Sequence, residues 1–318
     1  MTNLTRKFNK AEDIGTISRD DLPSLYHIAT LKSIEKKNNF NNLIKLNLSL
    51  LIIGALSSSI SITITANNQV LNYIQLIVSW ISFISLIISL FITIFIQLKK
   101  FDQEWYGARA IAESIKTLSW RFMMCSDKFD ENQTLEKVIE LFTSEIKDIN
   151  NQSRYLAGVL GGKIGEKPLI TQLMYDVRKL SYKERLKIYL THRIEKQKNW
   201  YLTNSKSNES NGNNYFNYIY VFQAFAILSA SLYIVKPTFI INPSAFLITL
   251  ATSFLTWSQV SQFKILAQSY GFTAHELNNI ITLGKTINSE SNLSKFVIDS
   301  EQAISREHTM WLARKIEF

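Results

Sequence analysis

Four long stretches without a charged residue constrain the fold of this chain more than any other sequence feature. They cover residues 46–65, 73–96, 215–235 and 240–259, and none contains Asp, Glu, Lys, Arg or His. An α-helix needs about 20 apolar residues to cross a bilayer, and in lipid its backbone N–H groups must be bonded within the segment. The sequence therefore predicts an all-α integral membrane protein with four transmembrane helices in two hairpins and extended cytoplasmic helices.

The charge distribution predicts the orientation of these helices. The first hairpin tip, 66–72, has no charge, the second has only Lys236, and nearly all of the 35 Lys and Arg residues lie elsewhere. The positive-inside rule then places both termini and the central segment in the cytoplasm. Basic and acidic residues are interleaved, so we expect no nucleic-acid partner. The single cysteine, Cys125, excludes an intrachain disulfide.

The chain reads as one pattern used twice. A shift of 164 residues places Tyr106-Gly107-x-x-Ala110 on Tyr270-Gly271-x-x-Ala274 and the first hairpin on the second. This predicts a first repeat at 1–160, a cytoplasmic connector at 161–214 and a second repeat at 215–318. Within the connector, 204–214 is rich in Asn and Ser and is predicted to be a flexible linker.

The remaining segments read as amphipathic helices. Apolar residues recur with helical spacing over 135–149 and again over 168–180. Ser181-x-x-Glu184 predicts a capping box that opens a further helix. A last helix is predicted over 292–315.

Motifs that would support catalysis are incomplete. Gly158 to Lys163 has the wrong spacing for a phosphate loop and is interpreted as a turn. His275-Glu276 lacks the second histidine of a zinc-peptidase motif, because position 279 is Asn. We therefore expect no enzyme activity, no catalytic or metal-binding residue and no cofactor.

Polar residues inside the apolar stretches are the most informative candidates. They recur at steps of three or four along one face of the second stretch and again in the fourth. One interpretation is close helix packing, and the other is a hydroxyl-lined face of an oligomeric pore. The candidate pore-lining residues are Gln75, Ser79, Ser82, Ser85, Ser89, Thr93, Thr249, Ser253 and Thr256. The candidate helix-packing residues of the first stretch are Gly54, Ser58 and Ser61.

Two motifs flank the hairpins. The first runs over 105–123, directly after the second stretch, and the other over 189–201, before the third. With the C-terminal 306–314, they resemble the SLATT family of bacterial two-transmembrane-helix effector domains, here with two SLATT-like repeats in tandem. The residues of the first motif proposed as a gate or cytoplasmic coupling are Trp105, Arg109, Glu113, Trp120 and Arg121.

The resemblance implies an effector of bacterial antiphage defence that permeabilises the inner membrane and causes growth arrest or death by abortive infection. Our first hypothesis is an oligomeric pore, a homo-oligomer in the lipid bilayer, controlled by a cytosolic sensor or nucleotide-signalling partner. The alternatives are a membrane scaffold that recruits a cytosolic enzyme or sensor, and a small-solute transporter. Transporters usually keep ionisable groups at the midplane, and these stretches have none.

Overall fold

A computed structural model describes residue 14 and residues 17–60, 69–152, 168–235 and 243–316, with side chains as far as Ser305. Every regular element in these ranges is helical, which confirms the all-α class for the described part. The α-helices are α1 Ser24–Ser59, α2 Gln69–Lys99, α3 Phe101–Met123, α4 Leu135–Gln152, α5 Gln172–Arg178, α6 Tyr182–Tyr189, α7 Lys196–Val235, α8 Ser244–Ser261, α9 Phe263–Gly284 and α10 Glu290–Ile316. A π-helical segment, Leu190–Glu195, joins α6 to α7.

Among the described residues, three helical stretches are long and apolar enough to cross a membrane by length and composition. They are Ser24–Ser59, Gln69–Phe129 and Tyr182–Val235, and they contain residues 46–59 of the first predicted span and all of the second and third. The fourth predicted span lies mostly on α8, which is not among these stretches, and it begins at residues outside the described ranges. The fourth span therefore remains a prediction.

The chain divides into two compact units that do not coincide with the predicted repeats. Unit 1 comprises Met1–Lys37, Asp102–Ser205 and Gln268–Phe318, and unit 2 comprises Asn38–Phe101 and Lys206–Ala267. Each predicted repeat thus contributes its apolar hairpin to unit 2 and its polar helices to unit 1. The two units therefore differ in composition, since unit 2 contains the apolar helices and unit 1 contains the polar helices. Apolar helices are suited to lipid and polar helices to water.

The ends of the two hairpins share a backbone feature. Lys100, between α2 and α3, has φ 45°, and Gln262, between α8 and α9, has φ 54°. A non-glycine residue in this left-handed region is uncommon and interrupts a helix. In both cases a phenylalanine, Phe101 or Phe263, opens the next helix. The equivalent breaks support the internal duplication.

The amphipathic helices predicted over 135–149 and 292–315 are present, and the one predicted over 168–180 is shorter, α5 at Gln172–Arg178. Helix α4 buries Val138, Phe142 and Ile146, and α10 covers the predicted 292–315. The Ser181 side chain accepts a hydrogen bond from the Glu184 backbone N–H at 3.4 Å and so caps α6. The turn predicted at 158–163 lies outside the described residues.

The prediction of a flexible linker at 204–214 is wrong, because helix α7 continues through these residues without a break. Helix α9 packs along this part of α7. A Cβ placed on Gly271 would lie 3.2 Å from Ser205 Oγ, and one on Gly212 would lie 3.4 Å from Phe263 Cβ. Tertiary packing of this kind overrides the weak helix propensity of Asn, Ser and Gly.

Arginine side chains close the helix ends in the core of unit 1. Arg178 donates to the carbonyl oxygens of Phe122 and Phe129, each at 2.9 Å, and Arg185 donates to that of Met124 at 2.8 Å. The last carbonyls of a helix have no partner within the helix. These two arginines therefore provide side-chain donors to backbone carbonyls around the end of α3.

Candidate functional site

We name the polar residues along one face of α2 the α2 stripe; they are Gln75, Ser79, Ser82, Ser85, Ser89 and Thr93. The middle of this stripe lies against α1 within unit 2. Ser82 Oγ donates to the Gly54 carbonyl at 3.1 Å, and Ser89 Oγ donates to Asn47 Oδ1 at 2.6 Å. A Cβ on Gly54 would lie 2.9 Å from Ser85 Oγ, so the two helices touch here. Among the residues of α2, only Ser85 and Ser89 are buried. The stripe is thus the face through which α2 contacts α1.

The outer members of the stripe are more accessible. Gln75 Nε2 donates to Ser79 Oγ at 3.3 Å, and Ser79 is exposed. At the other end, Thr93 Oγ1 accepts from Asn47 Nδ2 at 3.2 Å and donates to the Ser89 carbonyl at 3.0 Å. Hydrogen bonds to α1 therefore extend along the stripe from Ser82 to Thr93, whereas Gln75 and Ser79 bond to each other.

The other predicted membrane residues are in varied surroundings. In α8, Ser253 is buried, whereas Thr249 and Thr256 are half-buried. In α1, Ser58 is exposed and its hydroxyl donates to the Ala55 carbonyl at 3.0 Å. Ser61 lies outside the described residues.

A buried carboxylate, that of Glu301, joins several elements of unit 1. It accepts hydrogen bonds from Arg193 Nε at 2.8 Å and Arg193 Nη2 at 2.7 Å. It also accepts from the Tyr189 hydroxyl at 3.0 Å and from Thr117 Oγ1 at 2.7 Å. We name these four residues, Thr117, Tyr189, Arg193 and Glu301, the Glu301 cluster. It links α3, the end of α6, the π segment and α10.

Burial sets the electrostatics of the Glu301 cluster. Burial raises the pKa of Tyr189 well above its usual value, and the nearby Glu301 adds to the shift. Burial alone would lower the pKa of Arg193, but attraction to Glu301 outweighs it and the pKa rises. Arg193 therefore stays charged and Tyr189 stays protonated at neutral pH. Arg193 Nη1 has no hydrogen-bond partner among the described residues.

The two predicted motifs meet beside the Glu301 cluster. Lys116 Nζ lies 3.7 Å from Glu113 Oε2 and donates to Gln197 Oε1 at 3.4 Å. Burial lowers the pKa of Lys116, opposed by Glu113 and reinforced by the positive charge of Arg193. Lys116 and Glu113 belong to the first motif, and Gln197 belongs to the second. These three residues thus join the two motifs in a polar network beside the Glu301 cluster.

The π segment brings Arg193 into this network. Residues Leu190–Glu195 are wound more widely than an α-helix, a feature that is frequent at functional sites. Gly284 gives the segment room, because a Cβ there would lie 2.8 Å from Leu190 Cδ2. Arg193 and Tyr189 are four residues apart and both reach Glu301 Oε1.

The start of α3 forms a separate cationic and aromatic group. The Trp105 and Tyr106 rings stack with centroids 4.2 Å apart, and Lys37 Nζ lies 5.1 Å from the centroid of the Trp105 ring. Burial lowers the pKa of Lys37, and the neighbouring Arg109 lowers it further. Aromatic rings beside cations are typical of the membrane–water interface.

The five predicted coupling residues do not form a single site. Trp120 is buried and packs edge-to-face on Tyr189 with centroids 5.7 Å apart, so it joins the Glu301 cluster. Arg121 pairs with Asp127 at 3.0 Å. Trp105 and Arg121 are separated by roughly 24 Å along a helix that rises 1.5 Å per residue. Coupling through α3 would therefore involve the whole helix.

Sequence reasoning missed two residues that the structure makes prominent. Asn47 carries the only side-chain amide between residues 46 and 65, a detectable signal in an apolar stretch. Glu301 lies in a helix with several other charged residues, and nothing in its neighbourhood distinguishes it as buried.

The described fold is that of an all-α chain whose apolar helices indicate a membrane protein. The profile of the SMODS and SLOG-associating 2TM effector domain 3 matches residues 23–186, and that of domain 1 matches residues 189–311. The chain therefore belongs to the SLATT family and carries two SLATT domains in tandem. The segment predicted as a connector, 161–214, is divided between the two matches, since the first extends to residue 186 and the second begins at residue 189. Comparison with curated proteins and with solved structures gave no match.

Proposed function

We propose that this chain is a membrane effector of bacterial defence that acts as a homo-oligomer and makes the inner membrane permeable. The observation that carries the proposal is the effector-domain match over both halves, since effector domains of this family are associated with defence and signalling systems. The resulting ion leak stops growth or kills the infected cell. No catalytic step is part of this proposal.

The surface of α2 supports assembly within a membrane. Its apolar side chains are largely exposed; Leu76, Ile77, Phe83 and Phe91 each keep more than half of their surface open. In a bilayer such a surface contacts lipid or the helices of further copies. Each helix of an oligomeric pore needs one face toward water and another face toward the neighbouring helices. Helix α2 meets both requirements, because it has a hydroxylated face and an otherwise apolar circumference.

The orientation follows from the distribution of charge. We place both termini and unit 1 in the cytoplasm, where the polar helices are available to a cytosolic sensor or a nucleotide-signalling partner. The Glu301 cluster is then a rigid core for that cytoplasmic part. Binding of this cytosolic partner increases the fraction of open pores above the basal leak that the protein shows on its own.

The test is a leak assay with purified protein in liposomes. Potassium efflux and release of an encapsulated dye are measured alongside the oligomeric mass in detergent, with empty liposomes as the control. We expect potassium efflux from a defined oligomer. A bilayer that remains tight at every protein-to-lipid ratio would refute the pore.

The second candidate function is a membrane scaffold that recruits a cytosolic enzyme or sensor. The contact of Ser82, Ser85 and Ser89 with α1 favours the scaffold. A polar face that only packs two helices together does not have to line a water-filled pore. Overproduction separates the two functions. A scaffold leaves the membrane potential intact and co-purifies with a soluble partner, whereas a pore lowers the potential by itself.

A further inference from the structure

A set of three hydrogen bonds joins α1 to α2 in the apolar part of unit 2. Asn47 uses both ends of its amide, accepting from Ser89 Oγ at 2.6 Å and donating to Thr93 Oγ1 at 3.2 Å. Ser82 Oγ donates to the Gly54 carbonyl at 3.1 Å. The bonds lie on two levels of the hairpin, seven residues apart along α1.

Burial on α2 is the reverse of that in a water-soluble helix. The residues that α2 buries are Ser85 and Ser89, each 4% exposed, while Phe91 beside them is 65% exposed. Such an arrangement suits a helix with lipid around it and a polar contact behind it. The polar contact therefore specifies which face of α2 meets α1.

We propose that Asn47 and the α2 hydroxyls form a latch that holds the first hairpin closed, and that the pore opens when this latch parts. The proposal rests on the proposed function and names the contact that regulates it. In the closed state, the part of the stripe from Ser82 to Thr93 bonds to α1. In the open state, the same hydroxyls and the Asn47 amide line the water-filled pore.

The hydrogen bonds of this latch are weak enough for a reversible switch between the closed and open states. An interhelical hydrogen bond in a membrane shifts an equilibrium by about threefold on average, so three bonds together contribute roughly 20-fold. A modest signal can reverse a bias of that size. Unpaired hydroxyls and amides are costly in lipid but not in water. The latch therefore parts only where water replaces its bonds, which couples opening to wetting of the pore.

A reversible cross-link tests whether the hairpin must part. A Cβ on Gly54 would lie 2.9 Å from Ser85 Oγ, close enough for a disulfide, whose Cβ atoms are about 3.5–4.5 Å apart. The variant Gly54→Cys/Ser85→Cys is made with Cys125→Ser, reconstituted in liposomes, and assayed for potassium leak after oxidation and again after reduction. The two single-cysteine variants, oxidised in the same way, are the controls.

We expect oxidation of the double variant to lower the leak by at least about tenfold, and reduction of the same liposomes to restore it. A wild-type leak together with an unchanged leak from the oxidised double variant would overturn the latch and leave the pore standing. Absence of any wild-type leak would overturn the proposed function, and the latch with it.

A second variant weakens the latch without a cross-link. Asn47→Leu removes two of the three bonds, so we expect about eightfold more leak at equal protein density. Asn42→Leu is the matched control, because Asn42 is an exposed amide earlier on α1. Equal leak from the two variants would contradict the latch.

Discussion

Glu301→Gln removes the charge at the centre of the Glu301 cluster while keeping the size of the side chain. The Arg193 side chain, 1% exposed, then has no counter-charge within its hydrogen-bonded shell. The new amide NH₂ also faces the donors of Arg193, Tyr189 and Thr117, which all bond to the carboxylate. Breaking a buried ion pair by removing one partner costs about 3–5 kcal/mol. That loss is a large fraction of the ~5–15 kcal/mol stability of an ordinary domain.

The assay is chemical unfolding of the purified protein in detergent, followed by tryptophan fluorescence. Trp120 packs on Tyr189, so it contributes a signal from the cluster to the combined emission of the six tryptophans. Glu140→Gln is the matched control, because Glu140 makes an exposed pair with Lys137 at 3.6 Å. Exposed pairs contribute only about 0–1 kcal/mol, so the control should stay close to the wild-type free energy of unfolding.

The reasoning is refuted if the free energy of unfolding of Glu301→Gln lies within about 1 kcal/mol of that of the control. Such a result would mean that the carboxylate is not desolvated. The double variant Arg193→Met/Glu301→Leu removes both charges. We expect it to recover part of the lost stability, because apolar replacement of a complete buried pair is often neutral.

Three further outcomes are expected. Gly284→Val should lower the free energy of unfolding by about 1–3 kcal/mol through overpacking, because its Cβ would lie 2.8 Å from Leu190 Cδ2; unchanged unfolding would contradict this packing. Cys125, buried and with its pKa raised by burial, should react with a maleimide on the order of tenfold faster after unfolding; equal rates would show that the thiol is accessible. Burial raises the pKa of Tyr106 to about 12. The wild type should therefore lose stability as pH rises from about 10 to 12, where the unfolded tyrosine is already ionised. Tyr106→Phe should lose less when unfolding is compared across that range, and an identical decline would contradict the shift.

Hydrophobic patterning predicted the parts of the fold that depend on local composition. The uncharged stretch 73–96 lies within α2, and the periodic run 135–149 lies within α4. The prediction of a flexible linker at 204–214 was wrong because the structure of this segment does not depend on its local composition. Its own residues favour a turn, and only contact with α9 explains why it is helical.

The candidate sites were predictable in part. The motif residues Tyr189 and Arg193 were identified from sequence as a pattern, but their shared partner was not. Glu301 is more than 100 residues away from both, and a single sequence does not reveal such a pair. Similarly, helical spacing placed Ser82, Ser85 and Ser89 on one face. It did not show that Asn47 of the preceding helix covers that face.

The most direct test of the central claim is to follow membrane potential during induced expression in growing bacteria. A potential-sensitive dye and external potassium are recorded together with growth, with Ser82, Ser85 and Ser89 replaced by leucine as the comparison. A membrane effector that acts as a pore predicts that wild-type cells lose potential and potassium before growth stops. The variant does neither, because leucine removes the hydroxyl lining that an open pore needs, even though it also removes latch bonds. Growth arrest, or continued growth, with the potential of wild-type cells intact would contradict the account.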